Sequence, residues 1–148
     1  MAKSGQYISS KYSNAYSMIF DWAVVSQDVE SNSSYISWTL TFKSNGSGTA
    51  ESACSADFPD VINVYVDENL YTTNITSDWS VGAGQSKILA LGNTTVYHQS
   101  SGAQPFTFSF DTRWELAVSS TTSFGWSVGV QSDAIDYIVR SASLISVS

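Results

Sequence analysis

Apolar and polar residues alternate along most of this chain, with a period of two. Phe106, Phe108, Phe110, Trp114 and Leu116 fall on one parity, while Thr107, Ser109, Asp111, Arg113 and Glu115 fall on the other. Successive side chains of a strand point to opposite faces, so this run predicts a strand with one buried and one wet face. The β-favouring run Thr94–His98 precedes it across the polar connector Gln99–Gln104. The two are expected to form a hairpin whose inner face lies on another sheet. Tyr16, Met18, Phe20, Trp22 and Val24 share a parity, as do Ile36, Trp38, Leu40 and Phe42. Tyr16–Val25 and Tyr35–Lys43 therefore predict a second hairpin with a tryptophan on the core face of each strand. Burying such rings contributes roughly 1.5–3 kcal/mol per side chain. Trp22, Trp38 and Trp114 are the candidates to meet in the core.

The remaining pattern has the same character. Val61–Val66 is apolar on both parities except at Asn63 and reads as a central strand, with Tyr71–Ile75 following after the turn Asp67-Glu68-Asn69. Ser86–Gly92, with Ile88, Leu89, Ala90 and Leu91, predicts a buried strand that runs on through a bulge at Gly92-Asn93 to His98. Phe124, Trp126, Val128 and Val130 give one more single-parity strand. The strongest turn signal is Ser44–Gly48, because Asn-Gly tolerates the positive φ angles of tight turns. Val81–Gln85 is another glycine-rich turn, and the irregular stretch Thr49–Pro59 has room for a weak edge strand. No window carries the i, i+3, i+4, i+7 spacing of an amphipathic helix. About eight strands at regular spacing predict an all-β, antiparallel β-sandwich, Ig-like or jelly-roll-like. Residues 1–14 are expected as an N-terminal arm or edge strand, 15–132 as the sandwich, and 133–148 as a C-terminal strand or linker-like tail.

Composition narrows the function more than the fold. The 148 residues are 43% hydrophobic and 14% aromatic but only 13% charged, about half the usual charged share. The net charge is −7, with only six Lys and Arg residues, which argues against nucleic acid and against an anionic membrane surface as partners. Cys54 is the single cysteine, so no internal disulfide forms, and its small-residue surroundings suggest a buried thiol rather than a nucleophile. Met1 leads into a polar segment without an apolar stretch, so no secretory signal is expected and synthesis in a cytosol is.

Catalytic chemistry finds little support. His98 is the only histidine, and a structural role, bonded across its turn to Ser100 or Ser101, is the expectation. The acids Asp57 and Asp60, Asp67 and Glu68, and Asp133 and Asp136 fall in turn-like stretches and read as solvated. Asp57 and Asp60 lack the further oxygen donors that a calcium loop needs, and one Cys with one His makes no zinc pattern. No enzyme activity, cofactor or metal is expected. The four Asn-x-Ser/Thr sites (Asn32, Asn45, Asn74 and Asn93) follow from a composition rich in Asn, Ser and Thr. The chemically suggestive residues are aromatics off the core parity. Tyr71 and Trp79 lie near turns beside Asn74 and Asp78, and Tyr65 and Tyr97 oppose their apolar neighbours. Sugars stack their C–H faces on such rings while Asp, Asn or Gln accept hydroxyl protons, so Trp79, Tyr71, Asp78 and Tyr65 are the candidate glycan contacts. The competing reading packs these rings against a sheet edge or a neighbouring subunit.

Three stretches carry a family resemblance. Tyr16–Lys43 contains Val24-Val25-Ser26-Gln27 followed by Ile36-Ser37-Trp38-Thr39-Leu40. Thr95-Val96-Tyr97-His98 runs through Gly102 to Phe106, Phe108, Ser109 and Phe110. Ile135–Ser143 reads IDYIVRSAS. Together they resemble the repeated β-sandwich module of minor structural and tail proteins of siphophages that infect Gram-positive bacteria. The third stretch is similar to that family's inter-module linker, with Val139 where the linker has proline. The resemblance implies a virion component made in the host cytoplasm and exposed on a tail, fibre or capsid surface. Its implied partners are other virion proteins, including copies of itself, and a bacterial surface polysaccharide. The alternative role it implies is decoration or assembly of the particle without ligand binding.

Overall fold

The structure, a computed structural model, describes residues 4–11, 13–100, 104–117 and 121–135, with backbone alone at 113–117 and 121–125. Ten strands are present in this part of the chain: β1 (Ser4–Lys11), β2 (Tyr16–Asp28), β3 (Ser33–Ser44), β4 (Ala50–Ser52), β5 (Asp60–Val66), β6 (Asn69–Ile75), β7 (Trp79–Val81), β8 (Ser86–Tyr97), β9 (Gln104–Ala117) and β10 (Thr121–Ile135). Sheet I has the order β1-β2-β3-β8. In sheet II, β5 lies between β6 and β9, and β10 flanks the far side of β9. All pairings are antiparallel.

The two short strands are continuations of longer ones. β5 pairs β9 up to Val61↔Arg113, and β4 resumes the same edge of β9 at Ser52↔Leu116. Residues 53–60 thus stand opposite only residues 114 and 115, so most of them leave the sheet as an excursion. β6 and β7 follow the same line, paired to β5 and β4 in turn. Sheet II is therefore four strand lines, two of them interrupted, and the molecule is a four-on-four all-β sandwich.

The connectivity separates the two topologies named above. A jelly roll alternates sheets at each step, whereas here β1–β2–β3 and β9–β10 are consecutive neighbours within one sheet. The order β2-β3-β8 facing β4/β5-β9-β10 is that of immunoglobulin strands A-B-E facing C-F-G. The β6/β7 line adds a strand beside the C position, and β1 adds one beside A.

The core forms where the alternating faces meet. Met18, Phe20, Ile36, Leu40 and Phe42 of sheet I face Ile62, Val64, Phe106, Phe110 and Trp126 of sheet II, all essentially without solvent contact. Phe20 stacks on Phe108 across the sheets, with ring centroids 4.4 Å apart. The core tryptophans are Trp22, Trp38, Trp79 and Trp126; the expected core position of Trp114 lies outside the described side chains. Trp22 and Trp38 are direct cross-strand partners, Trp22 opposes Gly5, and Trp38 opposes Gly92. One row across sheet I thus reads Gly5–Trp22–Trp38–Gly92, each indole lying over a glycine on the edge strand. A Cβ on Gly92 would stand 2.7 Å from the Trp38 ring, and one on Gly5 would overlap the Trp22 indole. The glycines are there for this close approach.

Four sequence expectations change. Thr94–Leu116 is not a hairpin: β8 pairs β3 in sheet I, and β9 pairs β5 and β10 in sheet II, so the chain crosses the sandwich between them. The bulge in β8 is not at Gly92-Asn93 but at Leu89, where the register shifts between Leu40↔Ala90 and Thr41↔Ile88. The shift explains why the consecutive residues Leu89 and Ala90 are both buried while Ile88 and Leu91 are exposed. The weak strand within Thr49–Pro59 is β4, which lies between β7 and β9 rather than at an edge. Asn45-Gly46 adopts no positive φ and carries the crossing from β3 to sheet II, where the Asn45 amide bonds to Asn14 O and Ser17 Oγ. Pairs of positive φ angles occur instead at Ser13-Asn14, at +54° and +66°, between β1 and β2, and at Asp67-Glu68, at +50° and +70°, between β5 and β6.

Candidate functional site

The four proposed sugar contacts part company in the fold. Trp79 is only 8% exposed and packs on Phe42, and its indole N–H donates to Asp60 Oδ2 at 2.8 Å. β7 pairs with β4 so that Trp79 and Val81 face inward with Ala50 and Ser52. Trp79 is thus on the core parity, which corrects its placement among the off-core aromatics. Tyr71 is half-buried and also faces inward, its ring 5.3 Å from that of Trp38, and its hydroxyl donates to Asn93 O at 3.4 Å across the gap between sheets. Asp78 is exposed but serves the excursion, accepting the Cys54 N–H at 2.9 Å. Tyr65 alone presents its ring on an outer face, 43% exposed, at the centre of sheet II.

Around Tyr65 the register assembles residues that no local pattern connects. Tyr65 stands between Leu70 of β6 and Ser109 of β9. One step along the sheet, Thr72, Asn63, Asp111 and Ser127 form a continuous row across β6, β5, β9 and β10. Side-chain hydrogen bonds tie both ends: Thr72 Oγ1 donates to Asn63 Oδ1 at 2.8 Å, and Ser127 Oγ donates to Asp111 Oδ1 at 2.9 Å. These bonds use the Asn63 carbonyl and one Asp111 oxygen, which leaves the Asn63 amide as donor and the other Asp111 oxygen as acceptor. At a strand spacing of about 4.8 Å the row is roughly 14 Å long. The result is a flat surface with one exposed ring beside prepositioned donors and acceptors, the arrangement that recognises a polyhydroxylated ligand. Asn63 was visible as the polar exception in an apolar strand, and Asp111 as a wet-face residue. Their adjacency, and that of Thr72 and Ser127, required the cross-strand register.

The other chemistry-bearing residues serve the scaffold. His98 is buried, and its Nε2 lies 2.6 Å from Ser34 Oγ; its backbone N–H donates to Asn32 O at 2.7 Å. It therefore joins the end of β8 to the β2–β3 turn, with Ser34 as a side-chain partner, and Ser101 of the expected turn contact lies outside the described residues. Cys54 donates its Sγ hydrogen to Ser77 O at 3.0 Å. Burial, with the charge of Asp60 adding to it, pushes the Cys54 thiol up, away from the thiolate that a nucleophile needs. Asp60 is not a solvated turn acid. It is 2% exposed and accepts from Ser52 Oγ at 2.6 Å as well as from Trp79. Among the described residues no three of His, Cys, Asp and Glu converge as metal ligands.

No protein-family model matches the chain, and no curated protein matches its sequence.

Proposed function

We propose that this chain is an exposed β-sandwich module of a phage virion that contacts a bacterial surface glycan through the outer face of sheet II, without catalysis. The observation that carries the ligand class is the Thr72–Asn63–Asp111–Ser127 row beside the exposed Tyr65 ring. A neutral or cationic polysaccharide suits the face better than an acidic one, since its described charged side chains are the carboxylates of Asp111 and, farther along the sheet, Glu51. The virion setting rests on the resemblance of Tyr16–Lys43, Thr94–Phe110 and Ile135–Ser143 to siphophage structural modules. Trp79, Tyr71 and Asp78 drop out of the contact set and act as supports, so Asn63 and Asp111 join Tyr65.

A glycan array followed by titration calorimetry with cell-wall polysaccharides of Gram-positive bacteria tests the reading. Binding that falls at least tenfold in Tyr65→Ala and in Asp111→Ala, with the fold intact, supports it. Silence across the array, or binding indifferent to both substitutions, overturns it. The assembly reading draws on a different observation, the apolar outer face of sheet I.

A further inference from the structure

The outer face of sheet I is unlike that of sheet II. Ile8, Ile19, Thr41 and Ile88 are successive register partners, so three isoleucines and one threonine form a mainly apolar row across all four strands. Ile8 and Ile88, at its two ends, are each 52% exposed, and Leu91 beside Ile88 is 66% exposed. Val25, Tyr35 and Tyr97 extend the exposed apolar surface toward the far end of the sheet. Isolated exposed apolar residues are ordinary, but a row spanning a whole sheet marks a surface that meets another protein.

We propose that this face is where two copies of the chain associate, sheet I against sheet I. Three features single out a second copy as the occupant. The first is charge. The chain carries −7, yet the outward positions of β1, β2, β3 and β8 hold only two acids, Asp21 and, at the end of β2, Asp28, and one base, Lys43. The face thus holds a small share of the net charge, and two copies repel each other weakly across it. The second is self-complementarity. Asp21 and Lys43 sit in different rows, opposite Thr39 and Ser17 respectively. A two-fold axis in the plane of the interface, perpendicular to the line between them, brings each Asp21 over the partner's Lys43, as an isologous contact requires. The third is area. Four strands at about 4.8 Å spacing, each roughly 25–40 Å long, present a face of roughly 650 Å², close to the ~800 Å² per partner of a stable interface. Thr39, Thr41 and Ser37 fill the space between the apolar groups and bury no charge. The proposal does not depend on the glycan reading, which uses the opposite face.

Sedimentation velocity on the full chain over a concentration series tests it. The expected result is a reversible monomer–dimer equilibrium that Ile88→Glu and Leu91→Glu each weaken by at least tenfold. Val130→Glu, at a residue 73% exposed on sheet II, leaves it unchanged. Asp21→Lys weakens the dimer, and adding Lys43→Asp restores it. These sites are at the surface, and urea unfolding of each variant verifies that the fold is kept. A monomer at every concentration up to roughly 100 μM, above the micromolar range of weak interfaces of this size, overturns the proposal. So does a dimer that survives Ile88→Glu and Leu91→Glu but is broken by Val130→Glu.

Discussion

Sheet I and sheet II supply equal halves of one core and differ in nearly everything else. Sheet I has four uninterrupted strand lines, an inner row in which two tryptophans lie over two glycines, and a mainly apolar row outside. Sheet II has two broken lines, a buried carboxylate holding the break together, and a hydrogen-bonded polar row outside. In sheet I close packing of rings on backbone fixes the structure. In sheet II directional hydrogen bonds at Asp60 anchor Trp79 and Ser52 while residues 53–59 depart from the sheet. The lesson is that similar alternation yields two outer surfaces of opposite character. One suits association with another flat apolar face, and the other suits a ligand rich in hydroxyl groups.

If Asp60 is the fastening of the broken half, its loss is the most damaging change. Asp60→Ala leaves the Trp79 indole N–H and the Ser52 hydroxyl buried without their acceptor and is expected to cost about 2–3 kcal/mol. Urea unfolding followed by tryptophan fluorescence measures this, and a cost below 0.5 kcal/mol would remove Asp60 from the account. The sharpest contrast between the halves is between two glycines. Gly92→Ala drives a methyl into the Trp38 ring and should cost about 1–3 kcal/mol. Gly129→Ala on sheet II, where a Cβ meets nothing within 4 Å, should be near neutral. Equal costs at the two positions would mean that the Gly–Trp–Trp–Gly row does not matter to stability.

Two smaller effects lie in the β5–β6 turn of sheet II. Glu68 holds a φ of +70°, which strains a residue with a Cβ. Glu68→Gly should stabilise the chain by about 1 kcal/mol, read as a rise in the urea midpoint; a fall would show that the Glu68 side chain contributes more than its backbone costs. Burial, and then the neighbouring charge of Glu68, hold the Asp67 carboxyl above its ordinary range. For an acid raised in this way the folded state keeps its proton to higher pH than the unfolded chain. The destabilisation is fully present above the raised value, and it is lost as pH falls through that value toward the unfolded one, about 3.9. Stability from this group therefore rises on mild acidification, and Asp67→Asn should flatten that limb of the stability–pH curve. An unchanged limb would place its source elsewhere.

The amino-acid order by itself determined the strands and their faces, because alternation is a local property set by the geometry of an extended backbone. Phe106, Phe108 and Phe110 point inward, and so do Ile36 through Phe42 on their parity, as the pattern required. The all-β class, the β2–β3 hairpin and the central position of β5 followed from the same source. Only the tertiary structure decided which strands are neighbours and in what register, because those choices rest on contacts between residues far apart in the chain. That is why Thr94–Leu116 looked like a hairpin and is instead divided between the sheets, and why Trp79 looked available for a ligand and is instead bonded to Asp60. The same cause explains the candidate site. Tyr65 was legible from its own strand, but Thr72, Asn63, Asp111 and Ser127 become a surface only when four strands are set side by side.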